Sequence, residues 1–304
     1  MMLQLGCHAG LERHEFQAIR MGSPARVVLY APNAARASDA AQAAFASMAS
    51  LEQILSDWRL DSEVMMLRGA APGVWIAISP PLADAIDRSL EIHGWTGGAF
   101  DPTCGRMTDA WRRHRSSGEI PKTAPFCWTG RGVERLMRRG DSLRFADPVP
   151  WLDFGGIGKG LAADAALEAM RTRGVTAALV ELGGDLAVGD PPPGKAGWTI
   201  RISGRADAPP LVRANCGIAT SGAGEQHIGS GVDFVSHIVD PRTGQWVGPH
   251  PDVTVVADSA GEADALASAG CVLGAKALRR LLERHHPAGR SGAGLRLPVV
   301  LGGS

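Results

Sequence analysis

Apolar residues alternate with polar ones in a few short runs of this chain and recur every three or four positions in several longer ones. Residues 25–30, Ala-Arg-Val-Val-Leu-Tyr, are β-branched and alternating enough to predict a strand. From Asp39 to Leu55, Ala, Phe, Met, Leu and Ile fall at helical spacing and predict an amphipathic helix. The polar stretch from Ser56 to Glu63 reads as a loop, and a second helix is predicted from Pro81 to Thr96, stopped by Gly97 and Gly98. Residues 116–150 mix loop signals with one short strand. A glycine-rich turn then leads into a helix from Leu161 to Arg171, closed by Gly174. Strand character follows over 176–189, interrupted by Gly183-Gly184, and again over 198–204, 217–222 and 253–258. Residues 262–286 predict a helix, and the glycine-rich end of the chain carries a candidate last strand. Strands with helices between them, and no short-period repeat, predict an α+β or α/β class.

Composition narrows the picture. The 304 residues suffice for one large domain or two closely joined ones. Hydrophobic residues make up 45% and charged residues 20%, an ordinary globular balance. The 31 basic and 31 acidic residues cancel, and no basic stripe with interleaved aromatics occurs, so nucleic acid is not an expected partner. Cys7, Cys104, Cys127, Cys216 and Cys271 are widely scattered, which excludes a zinc knuckle or redox dithiol by spacing and predicts reduced thiols. No run reaches the ~20 apolar residues of a transmembrane helix. The short apolar start before Cys7 lacks a basic n-region and a full h-region, so as written the chain reads as cytoplasmic. An incomplete N-terminus would leave a periplasmic or membrane-anchored place open.

Four segments carry candidate chemistry. Asp153-Phe-Gly-Gly-Ile-Gly-Lys-Gly160 offers close backbone approach, a following helix N-terminus and the charge of Lys159. It fits neither a P-loop, which needs glycine at 153 and Ser or Thr at 160, nor the G-x-G-x-x-G spacing of a dinucleotide fold. Asp264 and Ser268 lie four apart, so a helix puts both on one face as hard oxygen donors suited to magnesium. On spacing alone, a capped or polar helix start is the better explanation. His237 precedes the turn Asp240-Pro-Arg-Thr-Gly244 and is either a general base or a structural histidine. Gly97-Gly-Ala-Phe-Asp-Pro-Thr103 is another glycine-flanked acidic segment, and Trp58 stands in a loop where it could stack on a ring or cap a core.

Taken in order, these segments resemble the ApbE family of FAD:protein FMN transferases. The matching residues are Met21-Gly-Ser, Ser62-Glu63, Gly98 to Thr103, Asp153 to Asp164 and Gly183-Gly-Asp185. Thr220 to Gly222, His237 to Gly244 and Asp264 to Ser268 complete the set. The resemblance implies an α+β fold, a single unit of two related α+β halves with the flavin site between them, spanning residues 16–285. Residues 1–15 are then an N-terminal extension, read as flexible, and 286–304 a glycine-rich tail. It also implies that Met21, Trp58, Ala99, Phe100, Asp101, Asp153, Lys159 and Ile238 contact FAD. The Gly156 carbonyl, Asp264 and Ser268 would hold Mg2+, with His237 and Lys159 catalytic. The implied reaction moves FMN from FAD onto a Ser or Thr hydroxyl of an acceptor protein and releases AMP. A magnesium-dependent FAD pyrophosphatase and a non-catalytic FAD carrier are the alternatives. The chain departs from the family pattern at Ser23 and Ser268, where Thr is usual, and at Arg68, where Asn is common. It also lacks a tyrosine after Thr220-Ser-Gly222. These changes are expected around the cofactor pocket.

Overall fold

A computed structural model of the chain describes residues 10–117, 132–202, 208–222, 226–229, 234–285 and 298–302. The hairpin β1 (Glu12–Arg20) and β2 (Ser23–Ala31) leads into α1 (Ala34–Leu55) and the short α2 (Glu63–Leu67). Next come β3 (Ile76–Ala77), α3 (Pro80–Trp95), α4 (Gly105–Ser117), β4 (Leu136–Arg139) and β5 (Ser142–Phe145). The middle of the chain is α5 (Gly158–Arg171), β6 (Ala178–Leu182), β7 (Asp185–Val188), β8 (Trp198–Ile200) and β9 (Leu211–Arg213). The last third holds β10 (Cys216–Ser221), β11 (His227–Ile228), β12 (Val235–Ser236), β13 (Val253–Ala257), α6 (Ala260–Leu273), α7 (Ala275–His285) and β14 (Val299–Gly302). This is the α+β class the sequence predicts.

One seven-stranded sheet, in the order β1-β2-β6-β7-β10-β13-β14, joins the two ends of the chain through antiparallel pairs. Strand β2 shows why the sheet is covered on both faces. Val27 and Leu29 pack with α1 and α5, while Val28 packs on the other side with Trp198 of β8. Each such fully buried aliphatic contributes about 1.5–3 kcal/mol. Helix α1 buries Ala37, Ala40, Ala41, Ala44 and Met48, a stripe of mostly small residues at 3- and 4-residue spacing. It starts earlier than its apolar stripe suggests because Asn33 caps it, accepting the Arg36 N–H at 3.0 Å. Helix α6 is apolar almost all round, and Ala263, Ala265, Leu266, Ala267 and Ala269 are all buried, which marks a core helix.

Helices α5 and α6 cross at glycine. A Cβ on Gly160 would stand 2.2 Å from the Ala260 carbonyl oxygen, so the approach requires that residue to lack a side chain. Asp164, one turn further along α5, accepts the N–H groups of both Ala260 and Gly261 at 2.9 Å and ties down the first turn of α6. Burial raises its carboxyl to about 6, against the pull of those two N–H groups.

Three expectations are corrected. The N-terminal extension does not reach residue 15, because Glu12 to Glu15 already pair with Val28 to Ala31 as the edge of the sheet. Their charges hide the strand pattern, yet charge is common on an edge strand. The helix expected over 262–286 is two helices, because Gly274 takes φ +80° and ends α6 before α7 begins. The helix expected from Leu161 begins at Gly158, so the glycine turn and the helix overlap. The tail does contain a last strand, β14, paired with β13.

Candidate functional site

Residues from the β1–β2 turn and the end of β10, from α1, α4, α5 and α6, and from the loops between them enclose a cleft of about 700 Å³. That is the size of a small-molecule site. Met21, Trp58, Ala99, Phe100, Asp101, Asp153, Gly156, Lys159, His237, Ile238, Asp264 and Ser268 all line it. The residues expected to hold FAD and Mg2+ or to act in catalysis therefore reach one place.

The inner wall is the glycine turn against α6. Asp153 shapes the turn: one carboxylate oxygen accepts the Gly155 N–H at 2.6 Å, and the other accepts the hydroxyl of Thr108 on α4. Gly156 lies against Ser268, whose Oγ would be 3.0 Å from a Cβ there, with the Phe100 ring 3.4 Å away. Asp264 is 2% exposed, and one of its oxygens accepts the Gly160 N–H at 3.3 Å. Ser268, one turn on, faces the hydroxyl of Ser221 at 3.3 Å. A buried carboxylate in a helix of alanines is costly unless charge or hydrogen bonds offset it. This set fits Mg2+: one carboxylate, a hydroxyl at i+4 and an adjacent glycine backbone are hard oxygen donors at the cleft wall. A Mg2+ ion takes only a few such protein donors and keeps water for the rest of its shell.

Lys159 stands beside this wall, its Nζ donating to Asp185 at 2.6 Å. Met21, at the turn between β1 and β2, takes φ +50° and donates its N–H to Glu52 of α1 at 3.1 Å. Asp101 is 4% exposed and accepts the Thr103 N–H at 2.7 Å; burial raises its carboxyl above the usual range. Burial also pushes the Cys104 thiol well above its ordinary range, so it is no thiolate nucleophile. Cys104, Cys216 and Cys271 are free thiols, as expected; Cys7 and Cys127 lie outside the described residues.

The outer wall holds His237. Its Nδ1 lies 3.0 Å from the Gln226 carbonyl, and its ring meets Trp111 edge-on at 6.0 Å. A carbonyl only accepts, so this contact puts the proton on Nδ1 and the basic lone pair on Nε2. Trp58 is 71% exposed at the rim, with the Arg112 guanidinium 4.7 Å from its ring centroid. Arg112 also pairs with Asp57 at 2.5 Å. Asp57 is raised to about 6, first by burial and then by the charge of Asp153, with Arg112 acting against both.

Asp57, Thr108, Trp111, Arg112 and Gln226 on the cleft wall carried no legible signal in the sequence. Thr108, Trp111 and Arg112 share a face at i, i+3, i+4. However, α4 is so rich in Arg that it reads as a solvated helix. Arg68 does not line the cleft, contrary to the expectation that the departures surround it. Its guanidinium stacks on Trp151 at 4.4 Å and lies 3.9 Å from the Asp109 carboxylate, two partners that hold it away from the cleft. The segment after Gly222 lies outside the described residues over 223–225.

Comparison with known proteins gives a consistent result. The model of the ApbE family matches residues 21–289. A protein named FAD:protein FMN transferase from Salmonella typhimurium is 29% identical over 287 residues, covering 87% of this chain and 79% of its own. One of the same name from Treponema pallidum is also 29% identical, covering 88% of this chain and 81% of its own. The structure of the flavin transferase ApbE from Vibrio cholerae superposes with a TM-score of 0.75 at 24% identity, over 90% of this chain and 91% of that one. By the family match and the shared architecture, the chain belongs to the ApbE family.

Proposed function

We propose that the chain transfers the FMN half of FAD to a Ser or Thr hydroxyl of an acceptor protein, in a magnesium-dependent reaction that releases AMP. One observation carries this reading. Oxygen donors from the glycine turn and α6, the Lys159 ammonium and the His237 imidazole line the same cleft. A diphosphate ester needs charge offset on one side and a base on the other, and relatives with this fold are named FAD:protein FMN transferases.

The residues divide the work. Lys159 places positive charge beside the diphosphate. Phe100, Ile238, Met21 and Trp58 supply apolar and aromatic surface for the rings of FAD. Gly156, Asp264 and Ser268 would hold Mg2+, which offsets negative charge on the phosphate oxygens when bound. The acceptor hydroxyl oxygen forms a bond to the FMN-side phosphorus as the bridging P–O bond breaks, and AMP leaves with that bridging oxygen. Nε2 of His237 takes the hydroxyl proton, and the Gln226 carbonyl on Nδ1 steadies the imidazolium.

The test is incubation with FAD, Mg2+ and a flavin-acceptor domain, with mass spectrometry of the acceptor. An added FMN mass together with AMP supports transfer. Free FMN plus AMP with an unmodified acceptor would mean hydrolysis, and unchanged FAD would mean a carrier. Replacing His237 by Ala is expected to cut transfer by ~10²–10⁴-fold, the contribution of a well-placed base, while FAD affinity holds. Loss of FAD binding in that variant would make His237 a binding residue instead.

A further inference from the structure

Gly183-Gly184-Asp185 has no task in the reaction above, yet it is built against the residue that carries the charge. We infer that Asp185 is a positioning residue for flavin transfer: its buried carboxylate fixes the Lys159 ammonium at the cleft wall and keeps it charged there. The inference rests on the flavin reading of the cleft.

Asp185 opens β7 immediately after the glycine turn and is 1% exposed, whereas the Lys159 side chain is 30% exposed. The carboxylate is behind and the cleft in front, since Lys159 lines the cleft and Asp185 does not. The stem of the lysine is held as well as its head. A Cβ on Gly183 would lie 3.1 Å from Lys159 Cδ and 3.1 Å from Ser23 Oγ, so the turn backbone packs directly on that stem.

A lysine has four rotatable carbons and a compact head, and by itself it does not fix a charge in one place. A hydrogen-bonded carboxylate at 2.6 Å does so before any ligand arrives. It also opposes the loss of the proton that partial withdrawal from water would favour. As a stability device the pair is weak, because desolvating both partners cancels most of their attraction. Its consequence belongs to binding.

The experiment measures FAD affinity by flavin fluorescence from pH 6.5 to 9.5 without Mg2+, for the full chain and for Asp185→Asn. The variant is expected to bind FAD about tenfold more weakly at pH 7, the share of one charge-assisted contact. It is further expected to lose affinity above pH 8 along a limb that the unaltered protein lacks. Glu52, Asp57, Asp101, Asp153 and Asp264, with Arg59, Arg112 and His237, share the cleft with Lys159. They are common to both proteins, so the difference between the two profiles isolates Lys159.

Two controls separate positioning from folding. In a Lys159→Met background the same Asn substitution is expected to leave FAD affinity unchanged. Asp185→Glu, which keeps the charge, is expected to keep the unaltered pH profile even where affinity falls. Parallel profiles for Asp185→Asn and the unaltered protein, or an equal loss in the Lys159→Met background, would overturn the inference. Failure of the unaltered protein to bind FAD would overturn the flavin reading itself.

Discussion

The two walls of the cleft are built by opposite rules. The inner wall, α5 against α6, is close-packed and anchored by backbone N–H groups on carboxylates: part-buried Asp164 on Ala260 and Gly261, buried Asp264 on Gly160. The outer wall, the loop around Trp58 together with α4 and His237, is open and charged. At its rim Trp58 and Leu60 are 71% and 85% exposed and Arg113 pairs with Asp109 in solvent, while the Arg112–Asp57 pair lies buried behind them. A wall that is to hold the proposed Mg2+ among hard donors must not move, and packing without voids gives it that property. The rim of the second wall stays solvated, and its exposed arginine pair adds little to stability. Loss of volume tolerance belongs to the first wall and tolerance of substitution to the second.

The contrast can be broken by substitution. The largest effect is expected at Gly160→Ala, where a methyl would meet the Ala260 carbonyl at 2.2 Å. Overpacking against backbone is expected to cost ~3 kcal/mol in urea unfolding. A cost below about 1 kcal/mol would show that the inner wall yields. Next is Asp164→Ala, which removes the tie on the first turn of α6. It is expected to lower stability by ~1–2 kcal/mol, as loss of a cap does. It should also raise the Mg2+ concentration for half-maximal transfer several-fold, with FAD affinity measured without Mg2+ unchanged. An unchanged Mg2+ requirement would detach Asp164 from the ion site.

A smaller effect tests a part-buried charge of this wall. Burial, followed by the charges of Asp258, Glu91 and Asp164, raises Glu262 to about 7 from its ordinary 4.5. A carboxyl raised on folding prefers its proton in the folded state. Its contribution is therefore full below about pH 4.5 and lost as pH rises through 7. Glu262→Gln is accordingly expected to raise Tm by about 2 °C at pH 8 and to leave it unchanged at pH 4.5. An equal shift at both pH values would exclude the charge as the cause. The smallest effect is expected on the outer wall: Arg113→Ala, which removes an exposed i,i+4 pair, should cost no more than ~0.5 kcal/mol. A cost of ~2 kcal/mol would erase the contrast between the walls.

Legibility followed the same division. The inner wall was readable because its residues sit in short ordered motifs: the glycines and Lys159 of the turn, Asp264 and Ser268 one helical turn apart. The outer wall was readable only at Trp58 and His237. Trp111 and Arg112 stayed hidden because a charge-rich helix looks the same whether it faces solvent or a cleft, and Asp57 because an acidic residue in a polar loop reads as solvated. Arg68 misled for a related reason, since the sequence aligns a position with a pocket but does not show whether Trp151 draws the side chain behind it.

By itself the sequence determined the alternation of strands and helices, the glycines at which backbones must approach, and the residue types able to offset charge and move a proton. These are local properties, set by periodicity and by what each side chain can donate or accept. Tertiary structure alone decided that Gly156 meets Ser268 across more than a hundred residues, that Asp185 stands behind Lys159, and that Asp164 holds the helix carrying Asp264. Those contacts come from the crossing of α5 over α6 and the order of strands in the sheet. That geometry depends on how whole elements bury their faces together, and no short stretch of chain encodes it.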